Sequence, residues 1–147
     1  MDAATIRGLK RKLEKFLGRF DDCFGRSDTR SHLPIYVHGQ LSDLPRKSVE
    51  PMALAAGVPP RTLQEFLSLL DWDHGRMREQ LQRIVAEEHA SPRGIGIIDE
   101  TSCVKQGDKT PGVQRQWCGS IGKEENCVVT VHLGYAVGDL HCLLDSE

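Results

Sequence analysis

The chain has 147 residues, 39% hydrophobic and only 5% aromatic, with a formal net charge of -2. That length allows one ordinary core or two small ones, and so few aromatics predict a mostly aliphatic interior. No stretch approaches the roughly 18 to 20 apolar residues of a membrane span, and the charged N-terminus lacks the apolar centre of a signal peptide, so the expected setting is the cytoplasm.

In chain order, Ile6, Leu9, Leu13, Phe16, Leu17 and Phe20 fall at steps of three and four, which predicts an amphipathic helix. Its other face is basic: residues 7 to 30 hold eight basic and four acidic side chains, against five basic and eight acidic over residues 91 to 147. A basic front and an acidic back suit a polyanion partner, although a solvated helix face is the commoner meaning of such a run. Between about Gly25 and Pro45 the pattern breaks at Asp28, Ser31, Pro34, Gly39 and Ser42, predicting an irregular connection.

Ser48 then caps a short helix whose Pro51 still lies in the tolerant first turn and which Gly57 stops. Pro59 and Pro60 open a second helix with Leu63, Phe66, Leu67 and Leu70 on one face. Asp73 is the expected cap of a third helix, marked by Met77, Leu81, Ile84 and Val85 and ending near His89. "SPRG" at 91 to 94 divides a helical region, 1 to 90, from a strand region, 91 to 147. There "IGII" predicts a buried strand and "CVVTVHLGYAV" (127 to 137) a second one. Gly138 and Asp139 make a tight turn into "LHCLL" (140 to 144), giving three antiparallel strands.

Three constellations could carry chemistry. "ALAAGVPPRTLQEFL" has the form of a helix-turn-helix whose second helix would offer Arg61 and Gln64 to base edges, with Arg46 and Lys47 nearby for phosphates. A helical hairpin without nucleic-acid contact is an equal reading. Asp99, ending an apolar strand, is either a turn cap or a rigidly held ligand for a hard cation such as magnesium. Its neighbour Glu100 points to the opposite face, so further carboxylates must come from elsewhere. A nucleophile built from Cys118 or Cys103 with His132 has no support in the spacing. The five cysteines (Cys23, Cys103, Cys118, Cys127, Cys142) form no close pair of the zinc or redox kind and fit free, packed thiols.

The string "IDETSCVKQGDKTPGVQRQWCGSIGKEENCVVTVHLGYA" resembles the start of the catalytic domain of bacterial insertion-sequence transposases of the DDE class, the DDE superfamily endonucleases. The resemblance lies in Asp99-Glu100-Thr101, Lys105-Gln106-Gly107, the run Gly112 to Gly119 and the run Gly122 to Cys127. "FDDCFGRSDTRSHLPIYVHGQLSDLPRKSVEPMA" and "RTLQEFLSLLDWD" are similar to the helical region that precedes it. The resemblance implies an α+β chain, with a helical DNA-binding region followed by the first three antiparallel strands of a ribonuclease-H-like fold. It also implies that Asp99 is the first of three acids that bind two Mg2+ ions, cleave double-stranded DNA at insertion-sequence ends and rejoin it. Family members continue beyond "LLDSE" to the second Asp and the Glu. The expectation is therefore a truncated transposase, inactive alone, with residues 95 to 98 as an apolar edge open to pairing with a second copy. The alternative is a DNA-binding or regulatory module that competes with a full-length enzyme, and a weaker third reading is an unrelated helical interaction protein.

Overall fold

The computed structural model describes residues 3–147, with side chains from Gly8 onward. The expected contacts of Ile6 therefore lie outside the described residues. The chain divides into two compact units, residues 1–80 and 81–147.

The first unit is helical. Helix α1 (Ala3–Leu17) passes into a 3-10 segment (Gly18–Cys23), followed by α2 (Ser27–Arg30), α3 (His32–Leu41), α4 (Val49–Ala55), α5 (Pro60–Ser68) and the start of α6 (His74–His89). Of the described residues of the apolar stripe, Leu17 at the end of α1 and Phe20 in the 3-10 segment are buried, whereas Leu9 and Phe16 are exposed. The expected irregular connection between Gly25 and Pro45 is corrected by α2 and α3, which fill most of it. Pro34 is harmless there because it falls in the first turn of α3, where its missing N–H has no intrahelical acceptor.

Gly39 serves packing. A Cβ on it would lie 2.7 Å from the Cβ, Cγ and Sδ atoms of Met52 on α4. Met52, Ala53 and Leu63 form the buried centre there, flanked by Ile35, Tyr36, Leu44, Val49 and Val58. Gly39→Ala is expected to cost about 1–3 kcal/mol by overpacking, read as a lower urea midpoint with an unchanged slope. An unchanged midpoint would mean that α3 and α4 are free to move apart.

The expected stops hold. Gly57 adopts φ 71° after α4, Pro59 and Pro60 open α5, and the Asp73 carboxylate accepts the Arg76 N–H at 2.8 Å as the cap of α6. Ser48 occupies the N-cap position of α4, but its hydroxyl makes no capping bond. The described interior is mostly non-aromatic, as expected, with Phe20, Phe24 and Phe66 the three aromatics among its twelve buried hydrophobic residues. The few aromatics are concentrated, with Phe66 at the middle of a cluster of Phe24, His32, Tyr36 and Trp72.

The second unit comprises the end of α6 and an antiparallel sheet of β1 (Ile95–Val104), β2 (Gln114–Cys118), β3 (Lys123–Val137) and β4 (Leu140–Ser146). Four strands replace the expected three, because β2 pairs with the first residues of β3, from Gln114 opposite Cys127 to Cys118 opposite Lys123. The long strand β3 is the spine. One edge carries β1 along ten residues, and the other is shared by β2 and β4. The tight turn at Gly138 and Asp139 is present, with Gly138 at φ 56°. Tyr135 donates its hydroxyl to the His89 carbonyl at 2.8 Å, and Gln82 its amide to the Leu144 carbonyl at 3.0 Å, so the end of α6 that belongs to this unit is tied to β3 and β4. "IGII" is a strand but not a buried one: Ile95, Ile97 and Ile98 are exposed, Ile98 to 78%.

Candidate metal centre

Asp99 sits in the middle of β1, directly opposite His132 on β3, and His132 is in turn opposite Ser146 on β4. Directly paired residues of antiparallel strands share a face, with Cβ atoms about 4.5–5.5 Å apart. Asp99 and His132 therefore stand side by side. Ile97, Asp99 and Thr101 line an open cleft of about 490 Å³ together with His132, His141 and Leu143. Glu100, one residue on, faces the other way by the strand's alternation. Its backbone N–H donates to an Asp99 carboxylate oxygen at 2.9 Å, which holds the carboxylate in place.

Two residues of the cleft lining, Thr101 and His132, are linked through Thr130, which is not part of that lining. The Thr130 hydroxyl donates to the Thr101 carbonyl at 3.3 Å and meets His132 Nε2 at 2.9 Å. His132 Nδ1 is buried with no hydrogen-bond partner. Among the described residues no group of three or more His, Cys, Asp or Glu side chains is arranged to hold a metal ion. Among the residues that line the cleft Asp99 is the one carboxylate, an oxygen donor of the kind that hard cations take but not by itself a set that holds one.

Asp145 on β4 lies opposite Leu133, one position along β3 from His132, and Glu147 pairs by backbone with Val131. Both are therefore out of register with Asp99. The cysteine readings separate in the same way. Cys103 is opposite Val128, four residues along β3 from His132. Cys118 and Cys127 are fully buried, and all five thiols are free. The Ser120 hydroxyl on the Cys118 sulfur, at 3.2 Å, holds that thiol below its ordinary range, while burial and then contact with Cys118 push Cys127 up. The thiols that pack are thus Cys23, Cys118 and Cys127, and Cys103 is exposed.

The residues expected to meet DNA lie in the first unit. Arg46 and Lys47 are exposed in the segment before α4, and Arg61 and Gln64 are exposed on α5. Arg61 is held by Glu65 one turn later, at 2.5 Å. His132 is the group that reading the sequence could not attach to Asp99. Strand periodicity fixes which face a residue takes, whereas its partner depends on register.

The DDE superfamily endonuclease family model matches residues 19–147. Over 98 residues, 65% of this chain and 26% of the relative, the sequence is 36% identical to a probable transposase for insertion sequence element IS701 from Microchaete diplosiphon. The chain thus spans about a quarter of the length of that curated relative. No solved structure matches it. No helix among the described residues is long and apolar enough to cross a membrane.

Proposed function

The chain belongs to the DDE superfamily endonuclease family, and from that premise we propose that it is part of an insertion-sequence transposase acting on the DNA ends of a mobile element in the bacterial cytoplasm. In this reading residues 91–147 begin a ribonuclease-H-like catalytic domain and Asp99 is its first metal ligand. The observation that carries it is Asp99 itself, fixed in mid-strand at an open cleft within the family's matched span. Two Mg2+ ions, when bound, would activate a water and stabilise the leaving oxygen of a phosphodiester. The chain's own part is to hold one carboxylate rigidly on β1, with the Glu100 N–H fixing its orientation.

Such a clamp needs several carboxylates. This chain brings one matched acid, so by itself it is proposed to bind DNA without cutting it. Residues 1–90 are the proposed DNA-binding region, in which α4, the Gly57 turn and α5 form a helix-turn-helix-like unit. Arg46 and Lys47 would take phosphates, and Arg61 and Gln64 would read bases. Because Arg61 is paired with Glu65, base contact there must exchange one partner for another.

The test is incubation of the purified chain with supercoiled plasmid in Mg2+ or Mn2+. The expected result is retarded plasmid with no nicking. Nicking lost on Asp99→Asn would show an active site complete in this chain, and failure to retard the plasmid at low salt would remove the DNA reading.

A further inference from the structure

We propose that β1 is a homodimerisation edge. Residues 95–98 of one copy pair antiparallel with the same residues of a second copy about a two-fold axis at Ile97, so that two sheets become one. This pairing stands apart from whatever Asp99 binds.

Strand β1 ends the sheet: β3 takes one side, and among the described residues no strand takes the other. Two sets of bonds fix where its backbone groups point. The Lys105 N–H donates to the Asn126 carbonyl at 2.8 Å, one step beyond the pair of Val104 and Cys127, whereas Val131 exchanges both its bonds with Glu147, which follows β4. Bonding alternates along an antiparallel ladder, so the even residues of β3 turn towards β1 and the odd residues of β1 turn back to them. Gly96, Ile98, Glu100 and Ser102 therefore aim their N–H and C=O groups outward. Natural edges are guarded by charge, proline or a bulge. "IGII" has none of these: its register with β3 is unbroken, and Ile95, Ile97 and Ile98 are exposed.

The pattern of free donors and of charge selects a second copy in one register. Outward bonds form only if even residues face even residues, which requires the two-fold axis to pass through a residue and not between two. An axis at Gly96 would need the Gly94 N–H, which is given to the Ser91 carbonyl. At Ile98 it would need the Glu100 N–H, which the Asp99 carboxylate holds. At Asp99 it would set acid directly against acid, which is destabilising. At Ile97, by contrast, Gly96 of each copy exchanges both bonds with Ile98 of the other, and the glycine leaves room for the Ile98 side chain. Ile97 then meets Ile97, and Asp99 falls opposite Ile95, so no acid faces an acid. Both Asp99 carboxylates lie on one face of the joined sheet, roughly 14 Å apart, four residues along and one strand across.

Sedimentation equilibrium of the whole chain should show monomer converting to dimer as concentration rises, and nothing larger. Ile98→Pro removes one outward donor per copy and no bond to β3, and Ile98→Lys puts a charge at the join. Each, checked for native circular dichroism, should weaken the dimer by about tenfold or more. Register is read by cross-linking in a Cys103→Ser background, which removes the exposed thiol. Ile97→Cys should give a covalent dimer under mild oxidation, because the Cα atoms of such an opposed pair are about 4.5 Å apart, within disulfide reach. Ile95→Cys should not, since its copies stand roughly 14 Å apart. A chain still monomeric at about 200 μM would overturn the proposal. So would a dimer indifferent to both Ile98 variants, growth past two copies, or equal cross-linking at positions 95 and 97. If an Ile98 variant fails to fold, the cross-linking pattern decides, because it leaves the edge donors in place.

Discussion

Phe66→Ala should unfold the helical unit at a much lower denaturant concentration than the parent chain. Phe66 is 1% exposed, and its ring lies 5.7 Å from Trp72, 5.8 Å from His32, 6.3 Å from Phe24 and 6.4 Å from Tyr36. The Trp72 indole also donates to the Phe66 carbonyl at 3.1 Å, so removing the ring loosens the cover over that bond. Truncating a fully buried Phe costs about 3–5 kcal/mol, because the lost transfer energy is joined by the cavity left behind. Small domains hold only about 5–15 kcal/mol in total, so this is a large share. Urea unfolding followed by tryptophan fluorescence would read it, since Trp72 is inside the cluster and the exposed Trp117 contributes little change. Leu67→Ala, one residue on but 43% exposed, should move the midpoint far less. Equal effects from the two would show that the aromatic cluster is not the centre of this unit.

Affinity for duplex DNA should fall by roughly a hundredfold between about 50 and 200 mM monovalent salt, if Arg46, Lys47 and two basic residues of α1 each neutralise a phosphate. Four contacts give a slope of about -3.6 in log affinity against log salt, because each releases most of one condensed counterion. Lys47→Ala should lower that slope by about one for every sequence tested. Gln64→Ala should leave the slope alone and reduce the preference for the element's ends, since base-edge contacts carry sequence and phosphate contacts do not. Fluorescence polarisation with specific and scrambled duplexes separates the two effects. Affinity indifferent to salt would sink the assignment of this surface to DNA.

The helices around Gly57 were legible in the sequence because their limits are local: a glycine for the left-handed turn, prolines at a helix start and an Asp for a cap all act within a few residues. Helix α3 was not, because Ser31, Pro34 and Gly39 read as loop formers one at a time. Gly39 is there for Met52, a residue distant in sequence. Strand β2 escaped because "QRQWC" is short and polar and is held by pairing with β3 rather than by an apolar pattern of its own. Asp99 stood out as a charge at the end of an apolar run. Its relation to His132 did not, since a shift of one residue in the β1–β3 register would turn His132 to the other face.

The spine strand also sets an order of assembly. The β3–β4 hairpin closes through two residues, Gly138 and Asp139, and such hairpins form in about 1–10 μs. Strand β1 is non-local: its nearest pair, Val104 with Cys127, already spans the segment that contains β2, and Ile95 with Ala136 is farther still. Loop-closure entropy has to be met before those contacts repay it, so β1 should zip onto a preformed β3–β4 ribbon and dominate the folding time of the sheet. Asp99 and His132 would then meet only in that last step, which makes their encounter a reporter of complete folding.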